Sequence, residues 1–262
     1  MNIIFYKYQG TGNDFIIIDN RNGQFDSNNH QVVSFLCDRR FGIGADGLML
    51  LEENDKLAFT MRYFNRDGKE ATMCGNGGRC IAAFAVHTGA VKSSEKFEFM
   101  AIDGVHEAKY SKEAVSLKMT EVDEIVTKFQ YLFLDTGSPH YVTFVEDNSR
   151  IDVVKEGSRV RYSKEFEDIG GTNVNFVQQI DESSIKMRTY ERGVENETLS
   201  CGTGAVASAI STAIKQGFGE KFNVQVPGGE LQVEFNMDGK MHPSNIWLTG
   251  PAQFVFKGEI II

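Results

Sequence analysis

The sequence contains an internal repeat with a period of about half its 262 residues. Residues 61–66 align with residues 187–192 at an offset of 126, and Cys74-Gly75-Asn76-Gly77 aligns with Cys201-Gly202-Thr203-Gly204 at an offset of 127. Residues 11–13 align with 136–138, and residues 97–110 with 222–235, both at an offset of 125. Four matches in one order, with offsets that differ by two residues at most, indicate two homologous halves joined near residues 120–127.

The repeat and the hydrophobic pattern together predict an α+β fold. Strand patterns outnumber helical ones and no βαβα alternation persists. Each half is therefore expected to be a curved, mostly antiparallel sheet wrapped around one central helix. If the two halves are related by pseudo-twofold symmetry, the starts of the two central helices face each other across an interdomain cleft, the kind of place where small ligands usually bind.

The two cysteine motifs present their thiols in the same way. Cys74 and Cys201 each precede glycines and a helical apolar pattern, which puts the sulfur beside unpaired backbone N–H groups and the positive end of the helix dipole. Such a site lowers a thiol pKa from about 8.5 and favours the thiolate, and the same N–H groups can hold a carboxylate. Cys37 and Cys80 lack this setting and are expected to be inert buried residues.

Composition and charge exclude several classes of function. A net charge of −9 argues against a nucleic-acid partner, and no apolar run approaches the roughly 18 residues that a membrane helix needs. The N-terminus lacks the order of a signal peptide, so a cytoplasmic protein is expected. The histidines show no metal-ligand spacing and no CxxC motif is present, so no metal is expected. Residues 42–47 match GxGxxG by letter, but a helix precedes them and a strand follows, which reverses the order of a dinucleotide site.

Two thiols that face one site suit three tasks. They can form a disulfide, bind a soft metal, or remove a proton from one face of a substrate and return one to the other face. The third task needs an acid and a base of matched type, because the forward and reverse reactions exchange their roles. Paired helix N-termini would hold the substrate carboxylate while the α-carbon loses its proton. This combination is the outline of a racemase or epimerase that works without pyridoxal phosphate.

The chain resembles the diaminopimelate epimerases along nearly its whole length. Both cysteine motifs and a Glu-Arg-Gly triplet are the most specific signals. The residues that carry the resemblance are Gly12-Asn13-Asp14-Phe15, Gly42-Ile43-Gly44-Ala45-Asp46, Asn65 with Asp67-Gly68, Cys74-Gly75-Asn76-Gly77 with Arg79-Cys80, Pro139-His140, Glu191-Arg192-Gly193, Cys201-Gly202-Thr203-Gly204 and Pro227-Gly228-Gly229.

The resemblance implies epimerisation of LL-2,6-diaminoheptanedioate to the meso form, in lysine and peptidoglycan precursor biosynthesis, by a thiol and a thiolate without cofactor or metal. Cys74 and Cys201 would act on opposite faces of the α-carbon, assisted by His140 and Glu191. The substrate-binding residues that it implies are Asn13, Asn65, Gly75, Asn76, Asn173, Glu191, Arg192, Gly202 and Thr203. The family also suggests a homodimer, and a last strand that returns to the first half. The expected domains are therefore 1–119 plus 251–262, with the Cys74 helix, and 120–250, with the Cys201 helix.

Two positions depart from the family pattern. The family often has glutamine where this chain has Gly47 and asparagine where it has Ser138. Serine keeps a hydrogen-bonding group, whereas the gap beside Gly47 is expected to be filled by water. Two rival functions stay open: a proline or hydroxyproline racemase with the same thiol pair, and a binding protein switched by a disulfide.

Overall fold

The computed structural model describes residues 2–92, 96–111, 114–239 and 241–262. The chain splits into two compact units, Met1–Leu117 with Gly250–Ile262, and Lys118–Thr249. The boundaries expected from the sequence, after residues 119 and 250, lie two residues and one residue from these. Within the described ranges, no helix is both long enough and apolar enough to cross a membrane.

The first unit has seven strands and two helices before the chain leaves it. In chain order they are β1 (Asn2–Gly10), β2 (Asn13–Asp19), α1 (His30–Cys37), β3 (Gly47–Glu52), β4 (Thr60–Asn65), α2 (Gly75–His87), β5 (Lys96–Ala101), β6 (Gly104–Ser111) and β7 (Ala114–Lys118).

The second unit follows the same plan with nine strands in its described residues, among them the short β13, and two 3₁₀ turns at Asn148–Arg150 and Lys164–Ile169. Its elements are β8 (Ile125–Thr127), β9 (Leu132–Asp135), β10 (Pro139–Phe144), α3 (Val153–Arg161), β11 (Asn173–Gln179), β12 (Ser184–Glu191), β13 (Asn196–Thr198), α4 (Gly202–Gln216), β14 (Lys221–Val226), β15 (Gly229–Asp238) and β16 (His242–Pro251). The final strand, β17 (Gln253–Ile261), pairs with β1 in the first unit.

Strand pairing shows that the two units are built alike. In the first unit β2 runs parallel to β3, β3 antiparallel to β4, β4 parallel to β5, and β5 antiparallel to β6. In the second unit β10 is parallel to β11, β11 antiparallel to β12, β12 parallel to β14, and β14 antiparallel to β15. The predicted α+β fold with two similar halves is confirmed.

Equivalent ion pairs mark the repeat at the level of side chains. Arg62 donates to both carboxylate oxygens of Glu70 at 2.8 Å, and Arg188 does the same to Glu197 at 2.6 and 2.7 Å. Each pair joins a strand to the segment just before a cysteine motif. The aligned residues therefore make the same contact in each unit.

Each central helix forms the core of its unit. Residues 76–85 of α2 are all buried, as are most residues of the first three turns of α4. A helix that is buried all round needs small side chains where strands approach it, which explains the many glycines and alanines in both. In the first unit, α1 packs on the other side of the sheet through Val33 and Leu36.

Candidate active site

Cys74 is the N-cap residue of α2. Its backbone is extended, and its Sγ accepts a hydrogen bond from the backbone N–H of Gly77 at 3.3 Å. A Cβ at Gly77 would lie 3.2 Å from that sulfur, so glycine is what lets the first turn approach the thiol. The predicted arrangement of Cys74 beside the amide groups of a helix start is therefore present.

A buried arginine fixes the residue next to this thiol. Arg79 is fully buried, and its guanidinium donates to the Asn76 Oδ1 at 2.8 Å and the Thr11 Oγ1 at 3.1 Å. It also donates to the carbonyl oxygens of Gly75 and Pro251 at 3.3 Å. Among the described residues no carboxylate pairs with it, and burial lowers its pKa while the nearby thiols, Cys80 and Cys74, oppose that change. No role for Arg79 was expected from the sequence, although a lone arginine in an apolar helix start is a visible signal.

Asn13 lies beside Asn76. The Asn76 Nδ2 donates to the Asn13 Oδ1 at 3.4 Å, and the Asn13 Nδ2 donates to the Asp46 carboxylate at 2.6 Å. Arg39 in turn holds Asp46 at 2.8 Å. Asn13 can reach this place because β1 and β2 are joined by a two-residue turn, Thr11-Gly12, with positive φ at both residues.

Asn65 lies at the end of β4 and is exposed. Its backbone N–H donates to the Lys69 carbonyl at 2.9 Å. Its role as a substrate contact stays a prediction.

Protein atoms crowd the space directly beside Gly47. A Cβ at Gly47 would lie 2.5 Å from the Tyr63 ring, 3.0 Å from the Tyr63 hydroxyl and 2.7 Å from the Phe64 carbonyl oxygen. The edge of the Tyr63 ring and its hydroxyl therefore lie beside the position where a side chain at residue 47 would begin.

Cys201 is the N-cap residue of α4 and is 7% exposed. Its Sγ lies 3.5 Å from the Thr203 Oγ1. A Cβ at Gly204 would approach that sulfur to 3.3 Å and the Asn175 Oδ1 to 2.6 Å. Gly204 therefore allows the helix start and its thiol to pack closely against β11.

His140 is fully buried beside Thr203 and Ser138. Its Nε2 lies 2.9 Å from the Thr203 Oγ1 and 3.1 Å from the Ser138 Oγ, and these two hydroxyls are 3.2 Å apart. Burial and then the charge of Arg192 lower the pKa of His140 to about 3. The imidazole is therefore neutral at physiological pH. Ser138 keeps a hydrogen-bonding group at the position where the family often has asparagine.

Asn173 and Arg192 form a second pair in this unit. The Asn173 Oδ1 accepts from the backbone N–H of Arg192 at 2.8 Å, and its Nδ2 donates to the Pro139 carbonyl at 3.0 Å and the Ser138 Oγ at 3.3 Å. The Arg192 guanidinium donates through Nη1 to the Ile169 and Gly171 carbonyls, both at 3.3 Å. Among the described residues no carboxylate pairs with Arg192, so its charge is held in place by neutral oxygens.

Glu191 ends β12, and its Oε2 accepts from the Thr198 hydroxyl at 2.8 Å. Burial raises the pKa of its carboxyl, partly offset by that bond. A carboxyl with a raised pKa in a site is suited to proton transfer or to a hydrogen bond with an ammonium group.

The structure thus gathers the predicted residues into two groups. Cys74, Gly75, Asn76 and Asn13 lie together in the first unit, and Cys201, Gly202, Thr203 and His140 in the second, where Ser138 and Asn173 link them to Arg192. In the part of the chain that the structure describes, no group of three His, Cys, Asp or Glu side chains could hold a metal ion.

Comparison with sequence families finds one match that spans both cysteine motifs. The model of the family described as diaminopimelate epimerase matches residues 5–124 and 132–255. The diaminopimelate epimerase of Flavobacterium psychrophilum is 49% identical over 257 residues, which cover 97% of this chain and 99% of that protein. The diaminopimelate epimerase of Chlorobaculum tepidum is 43% identical over 264 residues, which again cover 97% and 99%.

Solved structures show the same fold at much lower sequence identity. A PhzF-family phenazine biosynthesis protein of Bacillus anthracis has a TM-score of 0.78 at 14% identity, over 100% of both chains. A hydroxyproline epimerase from Agrobacterium vitis has a TM-score of 0.69 at 12% identity, over 99% of this chain and 92% of that one. At these identities the likeness shows the fold alone.

Proposed function

This chain belongs to the diaminopimelate epimerase family, and we propose that it interconverts LL- and meso-2,6-diaminoheptanedioate with Cys74 and Cys201 as the two proton-transfer groups. One observation carries the proposal: each of the two similar units presents a cysteine as the N-cap of its longest helix. The same positions carry the motifs by which the sequence resembles the family.

The reaction needs one thiolate and one thiol. The thiolate takes the α-proton, so that a C–H bond breaks, an S–H bond forms and the electron pair is delocalised into the carboxylate. The opposite thiol then gives its proton to the other face of the α-carbon and becomes the thiolate. No oxidant or reductant is required, and the reverse reaction uses the same groups in exchanged roles.

The helix starts supply the electrostatic stabilisation. The N–H groups at the first turn of α2, from Gly75 and Asn76, and of α4, from Gly202 and Thr203, have no acceptor within their own helix. They bind the reacting carboxylate and disperse the charge that develops on it. The same groups favour the thiolate form of an N-cap cysteine.

The rest of the site binds the substrate's two ends. Arg192, held by two backbone carbonyls, pairs with the carboxylate of the non-reacting end, and Glu191 binds an ammonium group. Asn13, Asn65 and Asn173 supply further hydrogen bonds. A cytoplasmic location and a homodimer complete the proposal and rest on the family alone.

Isotope exchange tests this function directly. The protein is incubated in deuterated water with LL-diaminopimelate, and in parallel with L-proline and trans-4-hydroxy-L-proline. Proton NMR should show loss of the α-proton signal and formation of the meso isomer for diaminopimelate alone. Exchange with a proline substrate but not with diaminopimelate would assign the chain to the rival racemase activity. No exchange with any of the three would refute both epimerase readings.

A further inference from the structure

Asn175 lies in β11 next to His140, and the proposed mechanism gives it no task. Both residues are fully buried. The side-chain nitrogen Nδ2 of Asn175 lies 2.9 Å from Nδ1 of His140. The other ring nitrogen of His140, Nε2, is two hydrogen bonds from the Cys201 sulfur, through the Thr203 hydroxyl. The group that is bonded to Nδ1 can therefore influence the Cys201 thiol.

The two ends of the Asn175 amide are fixed by other groups. Its Nδ2 also donates to the Tyr141 carbonyl oxygen at 3.2 Å, and its Oδ1 accepts from the Thr189 hydroxyl at 2.9 Å. A carbonyl oxygen accepts and never donates, so the group that faces Tyr141 must be the amide nitrogen. Turning the amide over would place two oxygens against each other in a buried site, where an unmet hydrogen bond is costly.

This orientation decides where the proton of His140 lies. The amide nitrogen donates its second hydrogen to Nδ1, which must then be the unprotonated ring nitrogen. A neutral imidazole carries one proton, so the proton is on Nε2. Nearby, the charged Arg192 disfavours a second proton on the ring.

We infer that Asn175 is a positioning residue: it holds His140 in the tautomer with its proton on Nε2, so that the imidazole donates to Thr203 and the Thr203 hydroxyl donates to the Cys201 sulfur. A second chain of hydrogen bonds, from Asn173 through Ser138, also leads to the Thr203 hydroxyl. The Asn173 amide donates to Ser138, and the Ser138 hydroxyl lies 3.2 Å from the Thr203 Oγ1. In both chains of hydrogen bonds, each donor faces toward the Cys201 sulfur.

This inference rests on the proposed function and refines the part played by His140. A histidine that takes the proton of Cys201 needs an unprotonated Nε2, which the Asn175 bond opposes. In the tautomer assigned here, His140 keeps its proton throughout, and the relay stabilises Cys201 as thiolate because a hydrogen bond to a charged acceptor is about twice as strong as one to a neutral acceptor. When Cys201 holds the substrate's proton, the relay loses that advantage, which helps the thiol to give the proton up again.

The tautomer can be read without any substrate. The protein is labelled with ¹⁵N-histidine, and the signals of its five histidines are assigned with the variant His140→Gln. From about pH 6 to about pH 9, a range in which an ordinary histidine titrates, the His140 Nδ1 should give the signal of an unprotonated nitrogen and Nε2 that of a protonated one. A protonated Nδ1, or a ring that titrates in this range, would overturn the inference.

Variants of Asn175 test the link from the tautomer to the thiol. Asn175→Leu removes the donor at similar volume, so the His140 ring should populate both tautomers, and Asn175→Asp supplies an acceptor in its place, so Nδ1 should become protonated. Without the directed relay, Asn175→Leu should lower kcat by roughly 10- to 150-fold, the value of one hydrogen bond to a charged group, with a smaller change in KM. The rate of Cys201 alkylation by iodoacetamide should reach its half-maximum at higher pH than in the wild type.

The matched control is Asn20→Leu. Asn20 is likewise buried and donates from Nδ2 to a backbone carbonyl, that of Phe25 at 3.2 Å, but in the first unit. This change should cost stability and leave the His140 signals and the Cys201 alkylation profile unaltered. If Asn175→Leu lowers only the stability and leaves the His140 tautomer and the Cys201 alkylation profile unchanged, Asn175 is merely structural and the inference fails. If the tautomer is as stated but diaminopimelate undergoes no exchange, the proposed function fails instead.

Discussion

Replacement of Arg192 tests how this site would recognise the far end of its substrate. The Arg192 guanidinium is fixed by two carbonyl bonds through one nitrogen, Nη1, at 3.3 Å each. Its backbone is fixed by the Asn173 side chain at 2.8 Å. A planar guanidinium held along one edge can present parallel donors to a carboxylate from its other nitrogens, and lysine cannot reproduce that fork.

The magnitude follows from what each substitution removes. Arg192→Lys keeps the charge and loses one charged hydrogen bond, a cost of about 1.5–3 kcal/mol, which raises KM by roughly 10- to 150-fold. Arg192→Met removes the charge as well, which costs about 2–5 kcal/mol, or roughly 30- to 5,000-fold. Because the contact is present in both ground state and transition state, kcat should change much less than KM.

The assay is the initial rate of α-proton exchange over a range of diaminopimelate concentrations. Arg66→Lys is the matched control, because Arg66 is the repeat counterpart of Arg192, is exposed, and has no role in the proposal. Thermal unfolding of each variant shows whether the fold is retained. Equal effects on KM at positions 66 and 192 would refute the reasoning and would mean that the family's substrate contacts have been placed wrongly on this chain.

Three further experiments each probe a single feature of the site. Tyr63→Phe should raise KM for diaminopimelate, because the Tyr63 hydroxyl lies beside Gly47, at a position where the family often has a glutamine. An unchanged KM in steady-state kinetics would count against a substrate role for that hydroxyl. Gly77→Ala should lower kcat with little loss of stability, since the new methyl group lies 3.2 Å from the Cys74 sulfur. Gly78→Ala should instead lower the unfolding midpoint in urea, because its Cβ would lie 2.6 Å from the Met73 sulfur. The pKa of His140 is lowered from 6.5 to about 3, so between these pH values the native state binds fewer protons than the unfolded state. The free energy of unfolding therefore falls as the pH falls from 6.5 to about 3. With His140→Gln, urea titrations should show a weaker loss of stability over that pH range.

The fold was accessible from the sequence because the repeat is a long-range pattern. Four aligned segments predicted two similar halves, and the equivalent ion pairs Arg62–Glu70 and Arg188–Glu197 show why the alignment holds. The places of Cys74 and Cys201 at helix starts were equally accessible, since a cysteine before glycines and an apolar helical pattern is a local signal. The return of the last strand to the first unit was expected from the resemblance to the family and not from the repeat.

Side-chain contacts between distant segments were not accessible in this way. Nothing in the local pattern indicates that Tyr63 fills the space beside Gly47, or that the Arg79 guanidinium fixes Asn76. The Asn175 amide became meaningful once β10 and β11 were seen to run side by side, because its partners Tyr141 and His140 lie more than 30 residues away. Such contacts depend on packing, which the periodicity of a sequence does not encode.

The central claim, that two thiols share the proton transfer, is tested most directly by replacing each in turn. Cys74→Ala and Cys201→Ala are incubated with LL-diaminopimelate in deuterated water, and formation of the meso isomer and of α-deuterated substrate is followed by NMR, with circular dichroism to verify the fold. Each variant should lose epimerisation by at least the roughly 100- to 10,000-fold that a positioned acid or base contributes. Near-normal formation of the meso isomer by either variant would contradict the account.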